Sequence, residues 1–575
     1  MSRESAGAWA LSLLRLDLTG VAFAALFFCL SLTPSLLPRD WLSGGIIGGI
    51  NAAIGYGIGV VIGAAVARLV LRARGWWPLK PRMRFGLQAA VVAVSIGASL
   101  LMVIPAADWQ RQVAGLMGIE GPATAIYLRT VMVALLTGGL LIAAARLVRD
   151  AVSALARLMI RRWHINDEVA TFIGTAIVVI LIITLVNGVL LQGLLAGASA
   201  VFQPQNANTR TGVEQPRHAE RSGSSASFAA WDSLGFQGRN FVATGPEAAE
   251  LSELNGRPAK EPIRIYAGLQ SGATTEERVA LLLSELQRTK AFERRLLVIV
   301  PTTGTGWVDP IAARAIESMY NGDTALVGMQ YSYLPSWISF LADRQKSVEA
   351  GRAMVHAIHE RWLRWPKGRR PKLALFGESL GSMAGQAAFG YLPDVSEMGF
   401  SSVLWVGPPN ASDLWRALTQ RRDPGTPEVQ PRYDNGRTVR FAQASSPAEI
   451  ARVAAAPPWA GSRVMFLQHA SDPVVWSSPD LMFRKPDWLK EPPGNDRSPA
   501  MRWYPIVTFF QLAADVAGNV TNSAGAPVGH GHNYGDSQLD GWVAVAAPDG
   551  WTQFDTDRIR WSLEKAMAAG GPEFA

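Results

Sequence analysis

Cysteine is nearly absent from this chain, which has 575 residues and one cysteine, Cys29. A single cysteine excludes an intrachain disulfide, so cysteine pairing gives no information about the redox compartment. Charged residues are also scarce, at 17%, while 49% of the residues are hydrophobic and the mean hydropathy is +0.13. This composition is too apolar for an ordinary soluble enzyme.

Patterns that define several other functions are missing as well. The chain has no internal repeat of solenoid length and no metal-ligand spacing, so we predict neither a metal nor a cofactor. Its net charge of +8 comes from arginines beside apolar runs rather than from a basic domain, which argues against nucleic acid as a partner.

Long apolar runs fill the first third of the chain. Five of them are long enough to cross a hydrocarbon core about 30 Å thick, and they cover residues 18–37, 44–67, 85–104, 124–148 and 169–195. None carries the central charge pair that marks an ion pathway. We therefore predict an α-helical transmembrane bundle of about five spans in residues 1–200. Glycines at four-residue spacing, such as Gly55 and Gly59, allow its helices to approach closely.

Arginines predict the orientation of these spans, because basic loops stay on the cytoplasmic side. They lie between the second and third runs and between the fourth and fifth, at Arg68, Arg72, Arg74, Arg82 and Arg84 and at Arg149, Arg157, Arg161 and Arg162. Five spans from a cytoplasmic N-terminus place the rest of the chain outside the cytoplasm. We expect a multi-pass protein that is integral to the membrane. In a bacterium this would be the inner membrane, with the C-terminal domain on the periplasmic or extracytoplasmic side.

The remainder of the chain divides in two. Residues 201–230 are polar and predict a flexible linker. In residues 231–575, short β-rich runs alternate with helical patterns, which predicts a mostly parallel sheet with helices on both faces. Long connections between the strands at Val403 and Val464, and between Asp472 and His530, predict a lid rich in tryptophan and proline. Those tryptophans either face lipid headgroups or pack the lid itself.

A nucleophile is predicted at Ser379. The apolar run Lys372–Phe376 leads into Gly377-Glu378-Ser379-Leu380-Gly381 and then into a helical pattern of small residues. This is G-x-S-x-G in the strand, turn and helix context of a nucleophile elbow, where the turn strains the serine and excludes side chains at both glycines. The alternative is an ordinary N-cap serine.

A serine hydroxyl needs a neighbouring base, normally a histidine held by a carboxylate. Three of the seven histidines follow the elbow: His469, His530 and His532. In this type of fold the acid lies between the serine and the histidine in the sequence. We predict His532 as the base because a helical pattern begins soon after it, and His530 is the alternative.

The acid is predicted at Asp472, which directly follows a predicted strand and precedes Pro473. Asp480 is the nearest rival. The oxyanion hole needs two backbone donors. The N–H of Leu380 is one, and the glycine-rich loop after an earlier strand is the predicted source of the other, at Thr303. That loop lacks the lysine of a phosphate-binding P-loop.

These motifs carry a family resemblance. Gly-Glu-Ser-Leu-Gly, Gly-His-Gly-His-Asn-Tyr and the N-terminal run Ser31–Arg39 together resemble the bacterial membrane-anchored α/β-hydrolase family of actinobacteria and proteobacteria. The resemblance covers nearly the whole chain except the linker. It implies a transmembrane bundle followed by an α/β-hydrolase domain, with a Ser379/Asp472/His532 triad, and it supplies no substrate. Glu378 stands where many lipases have histidine.

We expect a membrane-anchored serine hydrolase. Its substrate would be an acyl or aminoacyl ester on a membrane lipid or a lipid-linked envelope molecule, cleaved through an acyl-enzyme intermediate. An acyltransferase or a peptidase would use the same residues. The alternative from another class is a membrane receptor or scaffold that binds without turnover, and the complete set of triad residues favours the enzyme over it. The sequence leaves the oligomeric state open.

Overall fold

The computed structural model of this protein describes residues 17–71, 81–164, 166–185, 192–335, 338–340, 344–455, 457–521 and 526–574. They form two compact units. The first, called the helical unit, comprises Met1–Gly193, Pro479–Leu489 and Arg497–Thr521. The second, called the sheet unit, comprises Leu194–Ser478, Lys490–Asp496 and Asn522–Ala575.

The helical unit consists of α-helices and short turns of helix. Its helices are Leu18–Ser31, Trp41–Val66 with a π-helical end at Ala67–Leu71, Pro81–Leu116, Thr124–Tyr127, Arg129–Trp163, Asp167–Thr184 and Val507–Thr521, and its 3-10 turns are Pro479–Met482 and Asp487–Leu489. Within the described residues, four helical stretches are long and apolar enough to cross a membrane: Trp41–Leu69, Gly86–Leu116, Thr124–Trp163 and Asp167–Thr184. They expose large apolar side chains, such as Leu135 at 72% and Phe172 at 75%. These features are compatible with membrane association.

The first predicted span is shorter than expected. Its helix, Leu18–Ser31, has 14 residues and is about 21 Å long at 1.5 Å per residue, less than a hydrocarbon core of about 30 Å. The helix ends before Pro34, because proline disfavours a helical conformation at the residue before it. In the part of the chain that the structure describes, the prediction of about five spans is therefore corrected to four helices of sufficient length and one short helix. Residues 186–191 of the fifth predicted run lie outside the described residues.

Another correction concerns the second arginine-rich loop. Its arginines lie within the helix Arg129–Trp163, which extends well beyond the predicted run and ends where His164 adopts a left-handed conformation with φ 52°. Long arginine side chains are compatible with helix because their apolar stems lose little rotamer freedom there. The other predicted loop lies partly outside the described residues, at 72–80.

Glycines set the spacing of the helices. A Cβ on Gly55 would lie 2.5 Å from the Phe23 carbonyl oxygen, and one on Gly59 would lie 2.5 Å from that of Thr19. Distances this short exclude any side chain, so the predicted close packing through these two glycines is confirmed. The helix Trp41–Val66 runs antiparallel to Leu18–Ser31.

The same reasoning gives the direction of the other neighbour of this helix. A Cβ on Gly45 would lie 2.5 Å from Val133 Cβ, and one on Gly49 would lie 2.6 Å from Thr137 Cβ. The helices Trp41–Val66 and Arg129–Trp163 are therefore parallel, and their arginine-rich C-terminal ends lie at the same end of the helical unit.

The sheet unit contains a seven-stranded sheet in which every pairing is parallel. Its strands are β1 Ile263–Ala267, β2 Leu296–Pro301, β3 Thr324–Met329, β4 Lys372–Glu378, β5 Phe400–Val406, β6 Val439–Gln443 and β7 Arg463–Gln468, in the order β1-β3-β2-β4-β5-β7-β6. This confirms the predicted α/β-hydrolase-like architecture. The edge strand β6 was not predicted, because Arg440 interrupts its short apolar pattern. In the fold this arginine is buried and bonded to backbone carbonyls.

The sheet unit has α-helices at Gln192–Ala207, Gly235–Ala243, Ala248–Asn255, Thr275–Arg288, Pro310–Met319, Arg344–Leu363, Leu380–Gln386, Leu392–Glu397, Asp413–Gln420, Pro447–Ala454, Pro473–Trp476, Ser537–Ala546 and Gln553–Ala568. Its core is formed by the apolar side chains of the strands, most of them fully buried. Because all strands are parallel, their carboxyl ends meet at one edge, where polar loops converge.

The predicted flexible linker differs from the structure. Residues 201–207 end a helix, and the following polar stretch is anchored to the sheet unit. Ser222 N–H donates to the Arg264 carbonyl at 2.9 Å, and the buried Arg221 donates to Glu261 and to the carbonyls of Val242 and Thr244. The polar composition reflects buried hydrogen bonds rather than a free segment.

Candidate active site

The two glycines of the elbow are required by space. A Cβ on Gly377 would lie 2.5 Å from the Gly381 carbonyl oxygen, and one on Gly381 would lie 2.2 Å from that of Pro301. A side chain at Gly377 would separate β4 from the helix that follows it, and one at Gly381 would separate that helix from the end of β2. The G-x-S-x-G spacing thus reflects a close backbone approach.

Between these glycines, Ser379 has φ 53° and ψ −125°. A non-glycine residue at positive φ costs about 1–3 kcal/mol, and such strain persists only where the surroundings hold it. Here the Ser379 N–H donates to the Val406 carbonyl at 2.9 Å, and Ser379 O accepts from Met383. The serine is held at the carboxyl end of β4, 8% exposed.

The structure brings Asp472 and His532 together. His532 Nδ1 lies 2.7 Å from Asp472 Oδ2, and the aspartate is fully buried after β7. The Tyr534 hydroxyl donates to the same carboxylate oxygen at 2.7 Å, while the Val474 N–H donates to Oδ1 at 2.8 Å. The bonds from Tyr534 and Val474 fix the carboxylate, and the contact between Asp472 Oδ2 and His532 Nδ1 orients the imidazole ring.

His532 also lies beside the elbow. Gly407, the residue after the Val406 that accepts from Ser379, faces the imidazole so closely that a Cβ would lie 2.6 Å from His532 Cε1. Among the described residues, no side chain or backbone group forms a hydrogen bond with the buried His532 Nε2. The nitrogen opposite the aspartate is therefore available to a hydroxyl.

The rival residues take other positions. His530 Nδ1 lies 3.5 Å from Asp496 Oδ2 rather than next to Asp472. His469 is fully buried, stacks on Tyr534 with ring centroids 4.3 Å apart, and bonds the Gly531 carbonyl at 2.8 Å through Nδ1. Sequence reasoning gave neither Asp496 nor Tyr534 a role. Asp496 lies in no recognisable motif, and Tyr534 ends the motif Gly-His-Gly-His-Asn-Tyr, in which only the histidines indicated chemistry.

The predicted oxyanion donors differ in their surroundings. Leu380 begins the helix Leu380–Gln386, so its N–H is one of the amides that a helix leaves without an intrahelical partner. The Thr303 N–H donates to the Trp307 carbonyl at 3.3 Å within its loop. That bond would have to open before Thr303 could serve as the second donor.

Two buried carboxyl groups lie beneath the elbow. Burial raises the pKa of Glu378 well above its usual range, and the charges of Asp309 and Asp472 raise it further. Burial likewise raises the pKa of Asp309 to about 6, against the hydrogen bonds that it accepts at the start of Pro310–Met319. The raised pKa of Glu378 favours its neutral form, which places no second charge beside Asp472.

We predict that Asp309→Asn stabilises the protein above pH 6. A carboxyl group whose pKa is raised by folding contributes stability below its unfolded pKa, and this contribution is lost as the pH rises through about 6. The rise in the pKa of Asp309 from 3.8 to about 6 corresponds to about 3 kcal/mol of unfolding free energy. Asparagine keeps the N-cap. Unfolding midpoints in detergent should agree at pH 4 and favour the variant at pH 8; equal midpoints at pH 8 would contradict the raised pKa.

The parallel sheet, the strained elbow and the Asp472–His532 pair define an α/β-hydrolase-like protein. Residues 263–559 match the sequence profile of the Alpha/beta-hydrolase family, and residues 32–246 match that of the Alpha/beta-hydrolase family N-terminus. Because the first match covers just over half of the chain, the protein belongs to the Alpha/beta-hydrolase family, which supports a hydrolase-type function. No curated protein and no solved structure matches the chain.

Proposed function

We propose that this protein is a membrane-anchored serine esterase that cleaves an acyl or aminoacyl ester of a lipid or lipid-linked envelope molecule. One observation carries the proposal. A histidine bonded to a buried aspartate at 2.7 Å lies beside a strained serine, with its second nitrogen unpaired among the described residues. Ser379, His532 and Asp472 are the proposed nucleophile, base and acid.

In the proposed reaction, the Ser379 hydroxyl attacks the ester carbonyl carbon and transfers its proton to His532 Nε2. The buried Asp472 carboxylate stabilises the imidazolium, and the Leu380 N–H donates to the carbonyl oxygen as it becomes negative. Protonated His532 then gives its proton to the leaving alkoxide, which produces an alcohol and an acyl-serine. Water gives a proton to His532 and attacks the carbonyl carbon of the acyl-serine. The bond to Ser379 Oγ then breaks, His532 returns the proton to Ser379, and the carboxylic acid is released.

The membrane assignment rests on the four apolar helices of sufficient length. The orientation proposed from the sequence does not depend on whether Leu18–Ser31 crosses. Arginines flank the C-terminal ends of two parallel helices, Trp41–Val66 and Arg129–Trp163. The inserted helix Val507–Thr521, which belongs to the C-terminal half of the sequence, bonds Arg39 at the opposite end of this unit. The positive-inside rule therefore favours an extracytoplasmic sheet unit.

We predict that a phosphatase fused to the C-terminus is active in bacterial cells and that a fluorescent protein requiring the cytoplasm stays dark there. The same reporters fused after Trp163 should give the opposite pattern, because that helix ends among arginines. A dark phosphatase and a bright fluorescent C-terminus would place the proposed site in the cytoplasm and overturn the proposed localisation.

The lipid substrate is proposed from proximity. A site tethered to membrane helices meets membrane-borne esters at a high effective concentration. Tryptophan at a headgroup boundary gives little support, since Trp415, Trp476 and Trp488 are buried and pack inside the fold. Packing was the alternative interpretation of these residues, and for these three it is the correct one.

The proposal is tested by comparing substrates with the purified protein in detergent. Short p-nitrophenyl esters should be cleaved slowly, and an ester lipid extracted from bacterial membranes should be cleaved faster. Faster cleavage of soluble peptides would favour a peptidase, and transfer of the acyl group to an added alcohol in preference to water would favour an acyltransferase. Absence of any turnover with an unmodified Ser379 would leave the receptor or scaffold.

A further inference from the structure

The connection between Asp472 and His532 passes through both units. Residues 479–521, called the inserted segment, leave the sheet unit after Ser478, return to it at Lys490–Asp496, and then contribute Arg497–Thr521 to the helical unit. A simple lid over the site would not be shared in this way. The segment therefore links the proposed acid and base to the N-terminal helices through the chain itself.

At its return to the sheet unit, the inserted segment holds the two triad loops together. Asp496 is 2% exposed and accepts from the N–H and from the hydroxyl of Ser471, the residue before Asp472. The Ser471 Oγ in turn accepts from the Gly531 N–H at 2.8 Å, next to His532. One carboxylate thus connects the loop that carries the acid to the loop that carries the base.

The charge of Asp496 suits this role. Burial raises its pKa, but the neighbouring His530 and Ser471 side chains and the charge of His469 outweigh burial and hold the pKa below its usual value. His530 Nδ1 contacts the same carboxylate at 3.5 Å. Asp496 is therefore ionised at neutral pH and accepts hydrogen bonds strongly.

Within the helical unit, the inserted segment is bonded to the run Ser31–Arg39. Asp515 is 1% exposed and pairs with Arg39, with Nε and Oδ1 2.8 Å apart, and it also accepts from the Leu36 N–H at 3.1 Å and from the Ser35 hydroxyl. Gln511 donates to the carbonyls of Ser31 and Thr33. A buried ion pair with this many hydrogen bonds defines a single docked geometry for the helix Val507–Thr521.

The bonds of Asp496 in the sheet unit and those of Asp515 in the helical unit belong to one continuous segment of chain. Arg497 directly follows Asp496, is 4% exposed, and donates to the Trp488 carbonyl at 2.9 Å within the helical unit. Both ends of the loop that carries Asp496 are thereby fixed to one another.

We propose that Asp496 is a positioning residue for the triad and that Asp515, bonded to Arg39, sets its position from the helical unit. The N-terminal helices are thus a structural part of the catalytic apparatus and not only an anchor. The inference rests on the proposed function for its catalytic consequence, whereas its structural part, the link from Arg39 to the base loop, does not.

The structural part is tested by hydrogen–deuterium exchange on the full-length protein in detergent. Asp515→Asn should increase exchange in residues 526–534, which carry His532, as well as in 31–39 and 507–521. Asp108→Asn, which removes an exposed ion pair with Arg111 in the same unit, is the matched control and should change neither. Changes confined to 31–39 and 507–521 would overturn the link, whether or not the protein is an esterase.

The catalytic part is tested by turnover of a soluble p-nitrophenyl ester per active site titrated with a fluorophosphonate. Asp496→Asn and Asp515→Asn should each lower kcat about tenfold or more with little change in KM, because small displacements of a catalytic base are costly. Asp496→Glu should recover part of the loss. Because the two residues act through one segment, the kcat of the double variant should be no lower than that of the less active single variant.

Two outcomes overturn the catalytic part. The first is an unchanged kcat per titrated site in both variants, which indicates a purely structural role even if the unfolding midpoint is lower. The second is a pair of losses in kcat that multiply in the double variant. Failure of the proposed function has a different signature, since wild-type protein would then neither react with the probe nor turn over any ester.

Discussion

Replacement of Ser379 by alanine should abolish both ester hydrolysis and covalent labelling by a fluorophosphonate. The strained turn, with φ 53°, holds this hydroxyl at the carboxyl end of β4. Removing a triad nucleophile leaves only binding and oxyanion contributions, so we expect turnover to fall by at least about 10⁴-fold. Labelling is read from a gel and the modified peptide from mass spectrometry.

The matched control is Ser401→Ala. Ser401 is half-buried on β5, next to β4, and its hydroxyl donates to the Leu373 carbonyl at 3.0 Å. This variant should be labelled and should turn over ester as the wild type does. Labelling that persists in Ser379→Ala, with a probe adduct on another serine, would refute the proposed nucleophile.

Replacement of His532 should inactivate the enzyme, whereas replacement of His530 should leave most of its activity. His532 is bonded to Asp472 at 2.7 Å, while His530 contacts Asp496. His532→Ala and Asp472→Asn should each lower kcat by about 10⁴-fold, because the base or its correct tautomer is lost. His530→Gln should lose less than about tenfold.

A control separates loss of the base from loss of the fold. Circular dichroism spectra of both histidine variants should match that of the wild type, which shows that the fold is retained. If His530→Gln is inactive and His532→Ala keeps most of its turnover, the base is His530, the alternative that the sequence left open.

Local patterns made much of the fold and site predictable. Short apolar runs between turn residues predict the strands β1 to β5 and β7. Gly377 and Gly381 indicate the elbow, because a close backbone contact at each of them leaves no room for a side chain. The order of residues along the chain selected Asp472 and His532, and the structure brings these two side chains together. The signals for the strands and for the elbow each lie within a few residues of sequence.

What the sequence did not predict depends on contacts between distant segments. Asp496 and Ser471 are 25 residues apart, and Arg39 and Asp515 are 476 residues apart. Neither pair has a spacing that a single sequence reveals. The inserted segment has the tryptophan and proline content of a lid, but its helix carries a buried aspartate and glutamine that match groups in Ser31–Arg39. Only the folded chain shows that they meet.

The linker and the first span show a related limit. Polar residues at 208–230 have the composition of a free segment, yet their side chains bond buried groups of the sheet unit, so composition alone could not distinguish solvation by water from solvation by protein. In the same way, the apolar run at 18–37 continues beyond Ser31, although Pro34 and the docking contacts of Ser35 end the helix before it reaches span length.

The most direct test of membrane ester hydrolysis by Ser379 is a quantitative lipid comparison of bacterial membranes that contain equal amounts of the wild-type protein or of Ser379→Ala. We predict that one class of ester-containing lipid or lipid-linked envelope molecule decreases only with the wild type, and that its deacylated product increases in equal molar amount. Identical lipid profiles in the two membranes, together with faster turnover of soluble peptides by the purified wild type, would contradict it.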